Sequence, residues 1–202
     1  MLTFKDVSSS VTVAIAMVIA TPGQAEDAIQ LPLFDGALVL TAEAGVRQDV
    51  READGALIDF WRPVTFGPAD KPIGGRMDCK LGGVRQDYSD SLFDIRKRFK
   101  ESRQARKRSG LEDEDTDFTE DGDVRRLEIV GHANAPHRHY VLTYLALRSD
   151  PYLYDIRLNC EFRHLADPGD ATDYAAIMRQ YVDLAVPVTD PDAASSTQVP
   201  DS

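Results

Sequence analysis

From Tyr152 to Arg163 the chain alternates with a period of two. Tyr152, Tyr154, Ile156, Leu158, Cys160 and Phe162 fall on one side, and Leu153, Asp155, Arg157, Asn159, Glu161 and Arg163 on the other. Only an extended strand divides such positions between opposite faces, so this segment is predicted to lay one face on a core. It returns from an apolar run at His139–Arg148 across Ser149-Asp150-Pro151, which makes a hairpin. A second hairpin is predicted from Val46–Arg51 through the turn Glu52-Ala53-Asp54-Gly55 to Ala56–Trp61, because Asp and Gly both tolerate the positive φ of a tight turn. Further strands are expected at Ala37–Thr41, at Arg76–Leu81 and around Leu127 and Ile129. Between Arg62 and Gly75 the prolines Pro63, Pro68 and Pro72 and three glycines predict a surface loop.

Two segments carry the helical period instead. Behind a cap at Ser89 or Asp90, the residues Leu92, Ile95 and Phe99 follow the i, i+3, i+7 spacing. The apolar stripe stops at Phe99, so the basic turns beyond it are expected to project into solvent until Ser109-Gly110 ends the helix. A final helix is predicted behind Asp170, Thr172 or Asp173, with Tyr174, Ile177, Met178, Tyr181, Val182 and Ala185 on one face and Pro187 closing it. Together these elements predict an α+β fold: a mainly antiparallel sheet of about five to seven strands packed against two helices. A single domain over 26–186 is expected, with a flexible charged segment at about 109–123. The tail 187–202 has too little apolar surface to order itself. In element order the chain is similar to small exported α/β sandwiches of the PsbP-like kind. That resemblance is architectural and implies no activity and no site residue.

Ahead of this domain, Val11–Ala20 is an unbroken apolar run followed by Pro22-Gly23, with small residues Gly23 and Ala25 at the end. This is the pattern of a signal peptide spanning 1–25, cleaved after Ala25. Ten apolar residues make about half of the roughly 20 that a transmembrane helix needs, and no later stretch approaches that length. The expected destination is the periplasm or the exterior. There the two cysteines, Cys79 and Cys160, are expected to form one structural disulfide closing a loop of about 80 residues. A redox role would call for a close-spaced pair, which the chain lacks.

The chain has 34 acidic and 23 basic residues, a net charge of −11, which argues against a nucleic-acid partner. The charge is also segregated. Eight bases stand between Asp94 and Arg108, among them Arg96, Lys97, Lys100, Arg103, Arg106, Lys107 and Arg108; eight acids and no base stand between Leu111 and Asp123. The leading reading is a non-catalytic accessory protein that meets an envelope protein or an anionic surface through this basic helix end and acidic loop. Two alternatives stand beside it. His132, His137 and His139 sit close enough in sequence to ligate zinc or copper, the one cofactor the chain suggests. An enzyme with a dispersed site also remains, although no G-x-S-x-G, H-E-x-x-H, P-loop or G-x-G-x-x-G motif is present.

Overall fold

The alternation at the C-terminal end is realised as the strand Tyr152–His164, which lies in the middle of a seven-stranded sheet. The computed structural model describes residues 29–42, 49–53, 55–134, 137–169 and 171–186. In chain order these form β1 (Ile29–Leu33), β2 (Leu38–Ala42), β3 (Asp49–Ala53), β4 (Gly55–Phe66), β5 (Ile73–Asp87), α1 (Asp90–Phe93) and α2 (Ile95–Arg108). They continue with β6 (Leu111–Asp121), β7 (Val124–Ala133), β8 (Arg138–Ser149), β9 (Tyr152–His164), α3 (Tyr174–Tyr181) and β10 (Val182–Ala185). The large sheet has the order β3-β4-β5-β9-β8-β7-β6 and the small one β1-β2-β10, with every pairing antiparallel. The expected α+β class and mainly antiparallel sheet are therefore present, with more strands than the five to seven anticipated. No helix among the described residues is long and apolar enough to cross a membrane. The predicted signal peptide and the tail 187–202 lie outside the described residues.

The large sheet is buried unequally on its two faces. One face carries Phe60, Met77, Leu81, Val141, Ile156 and Phe162, which pack against Leu38 and Leu40 of β2, Met178 of α3 and Leu184 of β10. The other face has a smaller core in which Phe93 and Ile95 meet Leu127, Ile129, Tyr140, Leu142 and Leu153. Strand β8 contributes to both cores, which accounts for its continuous run Tyr140–Leu147 in place of alternation. Helix α2 covers this second face over β6, β7 and β8 and reaches β9 through the Arg98–Asp155 ion pair. Beyond it the face is partly open, with Trp61 of β4, Val84 of β5 and Arg157 of β9 exposed.

Cys79 and Cys160 face each other directly across β5 and β9, fully buried, and are joined as expected. Four expectations need correction. The segment predicted as a loop from Arg62 to Gly75 is mostly strand: β4 runs on to Phe66 and β5 starts at Ile73, because Val64 and Phe66 continue the buried alternation past Pro63. The acidic loop is also a strand, β6, paired along β7 at the edge of the large sheet. The first helix is divided at Asp94, whose side chain caps α2 by accepting from the Lys97 amide at 3.2 Å. The last helix stops at Tyr181, where Val182 and Leu184 switch to a period of two and pair with β2.

Candidate binding surface

Helix α2 is held by one side only. Ile95, Phe99, Ser102 and Arg106 recur at i, i+4, i+7 and i+11 and face the sheet. The last of these corrects the expectation that the basic turns project freely. Arg106 is only 6% exposed; its Nε and Nη2 donate to the two carboxylate oxygens of Asp113 at 3.2 and 2.9 Å, and Nη1 donates to Ser102 Oγ at 2.7 Å. Tyr140 completes the group by donating its hydroxyl to Asp113 Oδ1 at 2.7 Å. To reach β6 from β8, the Tyr140 ring crosses β7 at Gly131, where a methyl group would run into the Glu112 carbonyl and the Tyr140 hydroxyl. Burial alone would raise the Asp113 carboxyl. The hydrogen bonds from Arg106 and Tyr140 overcome it and hold the group below the ordinary carboxylate range. Burial together with the Asp113 carboxylate pushes the Tyr140 phenol well above its ordinary value. Arg106 is thus a structural cation, removed from any docking role.

The other six predicted cations stand on the outside of the helix. Arg96, Lys97, Lys100, Arg103, Lys107 and Arg108 are all exposed, and none has a carboxylate within ion-pair distance among the described residues. Arg96, Lys100, Arg103 and Lys107 repeat at i, i+4, i+7 and i+11, which makes one continuous stripe. Four acids of β6 are engaged elsewhere. Asp113 holds Arg106, Glu120 pairs with Arg125 at 2.7 Å, and Glu112 and Glu114 flank His132 at 3.7 and 2.8 Å. Helix α2 meets β6 through the Arg106–Asp113 pair and through Arg96, which lies 3.7 Å over the Phe118 ring.

All four histidines of the chain meet at the junction of β7, β8, β9 and α3. His132, His137 and His139, singled out in the sequence, are joined by His164, which the alternation of β9 places on the core side two residues beyond Phe162. His139 stacks on Tyr174 with ring centroids 4.2 Å apart. His164 Nδ1 donates to the Ala166 carbonyl at 2.6 Å, which leaves Nε2 to accept from the Tyr174 hydroxyl at 3.1 Å. His139 and His164 stack at 19°, whereas His132 and His137 meet them at 56° and 45°. Among the described residues no three His, Cys, Asp or Glu side chains are placed to hold a metal ion.

This cluster has a pH signature. Burial pushes His139 and His164 below the ordinary histidine value; it outweighs the Glu114 carboxylate beside His139 and the Ala166 carbonyl that accepts from His164, and neighbouring imidazoles add smaller pushes downward. Both folded values thus lie below that of the unfolded chain, about 6.5. The unfolded state binds more protons, so the contribution is complete above that pH and is lost as pH falls through it toward the folded values. His139 Nδ1 is moreover buried without a hydrogen-bond partner. His139→Phe keeps the stack on Tyr174 and removes both the orphaned nitrogen and the titration. Urea unfolding at pH 7 and pH 5 is expected to show a smaller acid-induced loss of stability in the variant than in the wild type. An equal loss would contradict the assignment.

No protein-family model matches the chain, and no curated protein matches its sequence. Solved structures align with part of the chain. The Ran-binding protein Mog1p of Saccharomyces cerevisiae aligns over 70% of this chain and 79% of its own, at 12% identity and a TM-score of 0.40. LpqN, involved in cell envelope biogenesis of Mycobacterium tuberculosis, aligns over 74% of this chain and 92% of its own, at 13% identity and a TM-score of 0.38. Likenesses at this level carry no argument about what this chain does.

Proposed function

We propose that this is an exported, non-catalytic binding protein that docks an acidic protein partner through the cationic stripe of α2. The observation that carries the reading is the position of Arg96 and Lys97. They occupy the first turn of α2, which contains no acidic residue. Cations there oppose the helix dipole, whereas Lys107 and Arg108 in the last turn complement it. Like charges at i, i+4 along Arg96–Lys100 and Arg103–Lys107 disfavour the helix further, by about 0.2–0.5 kcal/mol per pair. Beyond the Arg96 contact with the Phe118 ring and Glu101 one turn after Lys97, local stability gives no reason for this pattern, and an opposing acidic surface relieves both penalties. The stripe also stands out against a net charge of −11 for the whole chain. Export is supported by the buried Cys79–Cys160 bridge, since disulfides persist in oxidising compartments, and by the apolar run Val11–Ala20 with its small residues Gly23 and Ala25.

Fluorescence anisotropy with a labelled oligoglutamate peptide tests the reading, with vesicles rich in phosphatidylglycerol as the comparison. The expected result is saturable peptide binding that the variant Arg96→Glu/Lys100→Glu/Arg103→Glu loses. Binding to vesicles without binding to peptide would overturn the acidic-protein reading in favour of a membrane surface.

A further inference from the structure

The open half of the large sheet and the inner edge of α2 enclose a cleft of 780 Å³, within the range of about 300–1,000 Å³ typical of small-molecule sites. Its floor is set by one cross-strand row, in which Arg157 of β9 lies between Gly82 of β5 and Tyr144 of β8. Gly82 leaves this floor unfilled, for a Cβ built on it meets nothing within 4 Å. Packing therefore does not require the cleft to be vacated at this position. The walls are partly apolar: Ile95 and Phe99 of α2, beside Glu101 and Ser102, on one side and Val84, 46% exposed, on the other. At the back, Arg98 and Asp155 neutralise each other as an ion pair.

Arg157 is treated differently from Arg98. Its guanidinium lies 5.4 Å from the centroid of the Tyr144 ring, and it has no carboxylate partner among the described residues. A planar, permanently charged donor group, exposed to solvent, thus stands on the cleft floor without a carboxylate partner. We infer that the cleft binds a small amphiphilic carboxylate, an alkyl or aryl acid whose carboxylate is held by Arg157 and whose apolar body lies between Val84, Phe99 and Tyr144. Glu101 lies at the wall of the same cleft and repels such an anion. The site therefore predicts opposite effects for two charge-neutralising variants.

The test is fluorescence titration of the full chain with dansyl-aminoundecanoate, competed with decanoate and with 1-decanol. Expected is one-to-one saturable binding, displaced by decanoate far better than by decanol. Arg157→Gln should weaken it about tenfold or more, the loss of one charge-assisted hydrogen-bonded contact. Glu101→Gln should tighten it, and Gly82→Leu should fill the floor and abolish it. A Cβ at position 82 meets nothing within 4 Å and Glu101→Gln changes only an exposed side chain, so circular dichroism is expected to show both variants folded when binding is read. No saturable binding by the wild type would overturn the inference. So would equal displacement by decanol, or unchanged affinity in both Arg157→Gln and Gly82→Leu. Loss of binding in the α2 variant Arg96→Glu/Lys100→Glu/Arg103→Glu with Arg157→Gln unaffected would overturn it as well, by assigning the probe to the outer stripe.

Discussion

Replacing Asp113 by alanine is expected to destabilise the protein by about 3–5 kcal/mol, the usual consequence of leaving one member of a buried ion pair uncompensated. The side chains of Arg106 and Asp113 are 6% and 10% exposed, so water cannot substitute for the missing carboxylate. Tyr140 would lose its acceptor at the same time. The paired substitution Arg106→Met/Asp113→Leu removes both charges and is expected to recover most of the loss, leaving only the unsatisfied Tyr140 hydroxyl. The wild-type contribution depends on an ionised carboxylate whose folded pKa is depressed. It is present above the unfolded value of about 3.9 and is lost as pH falls through the folded one. Urea unfolding of the three proteins at pH 7 checks the assignment, and a loss below about 1 kcal/mol in Asp113→Ala would contradict a buried pin between α2 and β6.

The second large effect concerns Cys79 and Cys160. They are 81 residues apart, and cross-linking a loop of that length is worth about 4–5 kcal/mol through restriction of the unfolded chain. The bridge joins β5 to β9, neighbours in the sheet whose connection runs through both helices α1 and α2 and strands β6, β7 and β8. Every other described pairing within the large sheet joins elements consecutive along the chain, apart from helices. The β5–β9 pairing is thus its long-range closure, and the disulfide limits the entropy that this closure costs. Cys79→Ala/Cys160→Ala should therefore unfold at markedly lower urea concentration than the oxidised wild type, and added reductant should move the wild type in the same direction. Coincident midpoints with and without reductant would contradict the assignment.

What was legible in the sequence follows from which interactions are local. The period of two in β9 and the apolar run in β8 identify a central hairpin, since both patterns report burial directly. The side of β9 on which Cys160 falls already indicated a buried bridge. Strand β6 was hidden because aspartate and glutamate are depleted in strands and its acids read as a solvated loop. An edge strand tolerates charge, however, and β6 needs only Asp113 and Phe118 to be engaged toward α2. Arg106 could not be told from its basic neighbours, because its partner stands seven residues away across a turn and comes within reach only once β6 folds along the helix. His164 escaped for a simpler reason. It lies outside the segment in which the other three histidines cluster, and the pairing of β8 with β9 brings it to them. The cleft had no signal of its own, since Gly82 and Arg157 become neighbours through sheet register alone.

The central claim is that α2 presents its unpaired cations to an acidic partner, and the dependence of binding on salt tests it most directly. The affinity for oligoglutamate would be measured from 50 to 500 mM sodium chloride for the wild type and for Arg96→Glu/Lys100→Glu/Arg103→Glu, with far-ultraviolet circular dichroism confirming that both are folded. Exposed charges are screened beyond about 8 Å at physiological salt, so binding through the stripe should weaken steeply with ionic strength in the wild type and be absent in the variant. Affinity that is flat across salt, or that survives the charge reversal, would contradict the account.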